Sequence, residues 1–371
     1  MKKMKCLIAT EPDDTHAILA KIALESTGNQ VRFLFIADHP TRQRNSVFID
    51  NESYRWKSLD QNIAMIDHHY DVVWWRRVRK PHIPEQMTHP DDYQFVTREN
   101  VLFYGGVTYN LAPHAWWINN KEAATRANAK LLQLNIARLC GMLIPTTLCS
   151  NDPKEIRQFV TRHQAAGVIY KPLCSNFWFE DQKVKISYTA KIKAADLPDD
   201  ELLQLSPGIF QKEIKKSYEL RVTCFGEYLV AAKLNSQSHP EGQIDWRAIP
   251  DQEMDIEPYS LPKELQNQIQ IFMNKLGIVF GSLDFIVTAD GQYVLLEVNE
   301  QGQFLWIEEY NPEFKMLDIF VNFILNKSKK FIWDPRKSKH SIERYRTDMG
   351  KMMIENMRCH VDLNSAKAHN A

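Results

Sequence analysis

Apolar positions along this chain fall into short blocks with two alternating periods. Cys6 to Ala9 is an unbroken apolar run, which predicts a short buried strand over 5–10. Thr15 then opens a segment of helical period that continues to about Ser26, with Gly28 as its stop, and 31–37 returns to a strand pattern. A third strand is predicted within 71–78, DVVWWRRV. Strand, helix and strand in this rhythm give an N-terminal α/β domain. A helix is expected over 121–140, closed by Gly141. Extended IPTTL follows, then a helix from Asp152-Pro153 to about His163. Strands are predicted at 167–171, 183–193, 208–214, 219–225 and 228–234, then a helix over 262–276, a hairpin, and a last core helix over 312–325.

The character changes after 326. Residues 327–371 carry 11 Lys and Arg against 5 Asp and Glu, and Ile342, Tyr345, Met349, Met352 and Met353 recur at helical spacing. Part of this tail is therefore expected to be a helix, with a frayed end and a largely solvated basic surface. The domains predicted are 1–120 (α/β), 121–207 (central), 208–326 (C-terminal, with the hairpin) and a basic extension, 327–371.

Composition removes several function classes. The chain has 371 residues, with 46 Lys and Arg balanced by 46 Asp and Glu, which gives no overall basic field for nucleic acid. No apolar run approaches a membrane span, and the first residues lack the apolar core of a signal peptide. Six cysteines, with no CxxC pair, suit free thiols in a reducing cytoplasm. Glycine is scarce, at 13, and no P-loop, Rossmann, GxSxG or HExxH pattern occurs. His68-His69 reads as a solvated loop pair.

The most informative stretch is GSLDFIVTADGQYVLLEVNEQG, 281–302. A two-residue loop at Asp290-Gly291 would set Asp284 opposite Glu297 and Ser282 opposite Asn299. Facing carboxylates repel. A hard divalent cation between them, with Asn299 as a neutral oxygen ligand, turns the repulsion into binding, and Mg²⁺ suits that set. The alternative is that one acid is surface-exposed or salt-bridged to a nearby Lys or Arg.

The run 284–308, ending in FLWIE, resembles the metal hairpin of ATP-grasp ligases, and most closely that of the microviridin-type, or graspetide, peptide-cyclising ligases. WWRR (74–77), NAKLLQLNIARLCGMLIPTTL (128–148), VIYKP (168–172), IFQKEI (209–214), ELRVTCFG (219–226), AAKLNSQ (231–237) and DWR (245–247) follow the same resemblance in order, so it covers roughly 70–325. It implies an α/β (α+β) ATP-grasp fold with nucleotide between the central and C-terminal domains. Lys130 and Lys171 would hold ATP phosphates. Gln211, Lys212, Glu213 and Ile214 would form the adenine hinge. Arg221 and Arg247 would act on phosphate or the acyl phosphate, where a permanently charged guanidinium clamps two oxygens, although each alone equally suits a structural salt bridge. Asp284, Glu297 and Asn299 would hold one or two Mg²⁺.

The function so implied is an ATP-dependent ligase that makes side-chain esters or amides in a ribosomally made precursor peptide with acidic and Ser/Thr/Lys core residues. Strand geometry puts Arg76 and Arg77 on opposite faces, one of them able to reach that peptide. A homodimer is implied by the family alone. The alternatives are a glutathione-synthetase-like carboxylate–amine ligase acting on a small molecule or protein terminus, and a nucleotide-binding regulator without turnover.

Overall fold

A computed structural model of the chain describes residues 3–60, 63–65, 69–173, 177–180, 183–186, 189–250 and 253–363. His68, Cys174 and the end of the tail, read above as a loop residue, a free thiol and a frayed terminus, lie outside the described residues. The chain divides into two compact units, residues 1–121 with 315–371, and residues 122–314.

The first unit is built on a four-stranded parallel sheet in the order Gln30–Leu34, Lys5–Ala9, Val72–Trp75, Trp116–Ile118. Its central strands are apolar on successive positions because a parallel sheet is covered on both faces. The helix Thr15–Ser26 starts where expected, and Asp14 caps it by accepting from the His16 and Ala17 amides at 3.2 and 3.5 Å. The strand expected over 31–37 stops at Leu34. The chain then tightens into a 3₁₀ turn, Ile36–Asp38, that buries Asp38 completely.

Asp14 does more than cap. Its carboxylate also accepts from Thr10 Oγ1 at 2.6 Å and from Arg76 Nε at 2.6 Å, and both Asp14 and Arg76 are 1% exposed. Burial, the largest influence, opposes its ionisation, but the charges of Arg76 and His16, with the Arg76 and Thr10 hydrogen bonds, together outweigh it and hold the carboxyl down to about 2. A depressed folded value stabilises above the ordinary carboxylate range and is lost as pH falls through about 2. The contribution is about 2 kcal/mol. Arg76→Met is expected to abolish that acid limb and to cost about 3–5 kcal/mol near neutrality, because it leaves a buried carboxylate unpaired. Urea midpoints followed from neutral to acid pH check both effects.

The structure also shows elements that the period analysis missed. A three-stranded antiparallel sheet runs Gln43–Ile49, Tyr54–Asp60, Ile63–Met65, and a helix spans Tyr93–Tyr109. That helix buries Tyr104, Val107 and Thr108 while Phe95, Leu102 and Tyr109 are exposed, so its apolar residues do not form one stripe.

The tail differs most from expectation. The described part of the tail, residues 315–363, packs within the first unit, with helices Met316–Asn326 and Ile342–Cys359. Phe320 packs on Trp74 and Phe323 on Trp116, at 4.5 and 4.9 Å between ring centroids. Ile342 and Tyr345 of the second helix are buried, and Tyr345 meets Ser26 at 3.0 Å. Helical spacing located this helix correctly, but the surplus of basic residues concealed that one face is covered.

Besides a small antiparallel pair, Phe177–Glu180 with Lys183–Ile186, the second unit contains two larger antiparallel sheets. One has four strands, in the order Ala190–Ile192, Val168–Lys171, Gly208–Lys212, Thr147–Ser150. The other has five, Ile256–Pro258, Tyr228–Leu234, Tyr218–Phe225, Phe280–Val287, Tyr293–Asn299, with the helix Lys263–Leu276 and the segment after Lys121 on its apolar face. The strand expected over 183–193 is two short strands, Lys183–Ile186 and Ala190–Ile192.

The single helix expected over 121–140 breaks into Lys121–Ala127 and Lys130–Leu139. The reason lies at Gln133, 3% exposed. Its amide accepts from the Val298 N–H at 2.9 Å and donates to the Val298 carbonyl at 3.0 Å, while Asn128 donates to Glu300 at 2.7 Å. These bonds tie the second helix to the edge strand that carries Glu297, and reorienting the helix requires the break.

Candidate functional site

The hairpin reaches the expected pairing by an unexpected route. Ser282 faces Asn299 and Asp284 faces Glu297, as read from the sequence. The turn, however, spans three residues, because Gly291 donates to Thr288 and Thr288 in turn to Gln292. Gly291 takes φ +79, the left-handed position that such turns reserve for glycine. Beyond the turn Val287 faces Tyr293 and Phe285 faces Leu295, one step out of the expected register. A bulge at Leu296 restores it before the acids. The bulge leaves Leu296 and Glu297, neighbours in sequence, both lining the same cavity, whereas Leu295 and Val298 are buried in the core.

That cavity, about 360 Å³, lies between the two larger sheets of the second unit. It falls in the size range of small-molecule sites. Ile169, Ile214, Ile286 and Leu296 supply its apolar walls, and Lys171, Arg221, Arg247, Asp284, Glu297 and Asn299 its polar ones. Gln211 to Ile214 line it where the chain crosses from one sheet to the other. The Lys212 amide still bonds to Thr146 and the Glu213 amide to Gly167, and Ser217 then bonds to Val287 of the next sheet. Lys130 is not among the lining residues, but its ammonium lies 3.5 Å from Glu297.

Arg221 clamps Asp284 through two bonds of 2.8 Å and turns its other nitrogen to the Gly302 and Gln303 carbonyls. Gly302 has φ +85, and a Cβ there would meet the Phe280 ring at 2.6 Å, so only glycine lets this carbonyl approach. Arg247 is held at 2.8 and 2.6 Å by Asp245, which also accepts from the Arg247 amide. Each of these arginines thus makes the salt bridge named as one alternative, and each also lines the cavity.

The two facing acids differ in environment. Burial pushes Asp284 up, with Glu297 adding to the rise and Arg221 opposing it. Burial also acts on Glu297, but Lys130, Lys171, Arg247 and Arg221 together outweigh it and hold Glu297 below the ordinary carboxylate range. Lys171 is pulled below the usual lysine range, chiefly by burial. An all-oxygen set of two carboxylates and an amide fits a hard cation, and the side chains of Asp284 and Glu297 keep 20% and 38% of their surface open for it. The four cationic side chains around them suit a polyphosphate.

No family model matches the chain, and no curated protein matches it. Solved structures do. The macrocyclase MdnC from Microcystis aeruginosa MRC, bound with precursor peptide MdnA, superposes with a TM-score of 0.76 at 29% identity over 87% of this chain and 100% of that one. The fold is that of the ATP-grasp ligases. The macrocyclase MdnB from the same organism aligns at 0.70 and 27% identity, over 86% of this chain and 99% of its own. An ATP-grasp ligase from Chryseobacterium gregarium, in complex with ADP and a leader and core peptide, aligns at 0.78 and 22%, covering 91% and 99%.

Arg76 and Arg77 of the ATP-grasp chain lie in the first unit, where their charges are already engaged. Arg76 is buried against Asp14 and lies 5.1 Å from the Trp74 ring centre. Arg77 pairs with Glu11 at 2.8 Å. The expectation that one of them reaches for an acidic peptide therefore gives way, at Arg76, to a core role, since a fully buried cation cannot be offered to a ligand.

Sequence reasoning missed other parts of the lining. Trp246 and Trp306 both line the cavity and stack at 4.7 Å. Lys216 pairs with Glu219 and also donates to the Ile244 carbonyl at 3.1 Å, while Ser236 donates to Glu219 at 2.9 Å. The signal was present, for both tryptophans stand inside motifs already singled out, DWR and FLWIE.

Proposed function

We propose that this chain is an ADP-forming ligase that activates Asp or Glu side chains of a ribosomally made precursor peptide and joins them to Ser, Thr or Lys side chains as esters or amides. The observation that supports this reading is the convergence of the facing acids with Lys171, Arg221 and Arg247 on one cavity, in a chain similar over most of its length to two macrocyclases. The same likeness disfavours a small-molecule carboxylate–amine ligase.

In this reading Gln211 to Ile214 contact the adenine edge, with Ile214, Ile169 and Ile286 against the ring. Lys130 and Lys171 hold phosphate oxygens. Asp284, Glu297 and Asn299 would hold one or two Mg²⁺, whose charge would neutralise the γ-phosphoryl group during transfer. Arg221 fixes Asp284 in orientation, and Arg247, fixed by Asp245, presents its guanidinium to the acyl phosphate. No enzyme nucleophile is needed, because the peptide hydroxyl or amine displaces phosphate from the activated carboxyl.

Mass spectrometry of the precursor peptide after incubation with protein, ATP and Mg²⁺ tests the proposal. Loss of one water per ring, matched to ADP released, is expected, and methanolysis separates ester from amide. ADP release driven only by small amines, with the peptide mass unchanged, would transfer the assignment to the small-molecule class. Lys171→Met is expected to weaken ATP binding about 10- to 100-fold, the worth of one charged hydrogen bond, measured by titration calorimetry.

A further inference from the structure

A second group of ionisable side chains stands in the first unit, independent of the ligase site. Asp38 ends the 3₁₀ turn after the second strand of the parallel sheet. Asp60 ends the strand Tyr54–Asp60, and His360 follows the last helix. One ligand atom from each lies within 4.8 Å of the others. His360 Nδ1 meets Asp38 at 2.5 Å, and the Val361 amide donates to the other Asp38 oxygen at 2.7 Å.

Two buried polar atoms here have no partner among the described residues. Asp60 Oδ1 is out of reach of solvent and has no donor. Gln43, directly opposite Asp60 across the strand pair and 0% exposed, has an amide nitrogen with no acceptor. Directly opposed residues project to the same face of a sheet. The Gln43 carbonyl oxygen accepts from Tyr104 at 2.7 Å, and Tyr104 itself senses the charges of both Asp60 and Asp38. The amide therefore borders the same space as the two carboxylates. A lone acceptor and a lone donor, buried side by side, each cost about 1–3 kcal/mol.

We propose that Asp38, Asp60 and His360 bind one divalent transition-metal ion, with Gln43 donating to a water on that ion. One imidazole and two carboxylates form a mixed nitrogen and oxygen set, which suits Zn²⁺ rather than Mg²⁺. The ion takes the free Asp60 oxygen as a ligand, and its water gives the Gln43 amide an acceptor. Tetrahedral bonds of about 2.1 Å place ligand atoms about 3.4 Å apart, so the longer separations in the group must shorten while Asp38 and His360 move apart from 2.5 Å, their hydrogen bond replaced by two metal bonds. Because His360 is 322 residues from Asp38, the ion would staple the end of the last helix to the sheets of its own unit.

The test uses the full chain, stripped with chelator, loaded with Zn²⁺ and passed through gel filtration before metal analysis. One retained equivalent is expected, with a raised melting temperature. Asp60→Asn and His360→Gln should bind more than about 100-fold more weakly, beyond the loss typical of outer-shell changes. Glu297→Gln, in the other unit, should retain the ion, which separates this site from the hairpin. Co²⁺ in place of Zn²⁺ should give visible d–d bands that both variants lose. Failure to retain zinc, or retention unchanged in folded Asp60→Asn and His360→Gln, would overturn the proposal. So would an Asp60→Asn chain that is more stable than wild type in zinc, since a proton would then be what the site lacks.

Discussion

Glu297→Gln is expected to reduce turnover by at least about 10³-fold while leaving the fold intact. The side chain is isosteric and 38% open, so little packing is lost. What disappears is the one charge that Lys130, Lys171, Arg247 and Arg221 jointly hold ionised. Those four cations then lose a nearby counter-charge. ATP should bind as tightly as before, or more tightly when Mg²⁺ is absent, although the peptide is not modified. Asp284→Asn should be equally inactive but for mixed reasons. It breaks the two-bond clamp from Arg221, which is almost completely buried, and a broken buried pair costs about 3–5 kcal/mol. Calorimetry of ATP binding, circular dichroism and ADP release, measured on both variants, separate the two effects. Wild-type turnover in Glu297→Gln would remove the hairpin from the mechanism.

Asp318→Ala should be among the most damaging single changes for the stability of the first unit, at about 3–5 kcal/mol. Asp318 lies on the helix Met316–Asn326 and is 0% exposed. One of its oxygens accepts from the Lys339 and His340 amides at 2.7 and 2.9 Å. The other accepts from Trp333 Nε1 at 2.7 Å and Asn322 Nδ2 at 3.1 Å. The carboxylate thus organises the link between the last two helices, and alanine would leave buried donors without acceptors. A lower urea midpoint together with new proteolytic cleavage between 327 and 341 is the expected outcome. A shift below about 1 kcal/mol would mean that the link is held by Phe331 and the aromatic contacts alone.

Much of the site was legible because it is strand-borne. In an alternating pattern, opposed positions follow from counting, and Asp284 with Glu297 was found that way. The agreement nevertheless rested on two departures that cancel, a longer turn and a bulge, neither of which has a distinct signature in the letters. Arg76 was misread for a related reason. Two adjacent arginines look alike in sequence, and only the Asp14 carboxylate, 62 positions away, decides which is core. The broken helix at Asn128 was equally out of reach, since its cause is a hydrogen bond to a strand 165 residues later. The tail was misjudged because charge was counted over the segment as a whole, whereas burial is decided by one face.

The Gln133 side chain has a wider effect than fixing a helix. The strand Tyr293–Asn299 is the rim of its sheet, and such a rim is normally adhesive toward any extended chain. Here the Val298 backbone is taken by the Gln133 amide, and the Leu295 N–H is taken by the Leu143 carbonyl at 2.9 Å. An enzyme that handles unfolded peptides would otherwise present them with a template for strand addition immediately beside its own acids. With those groups occupied, a peptide can meet the site through its side chains without being captured by its backbone.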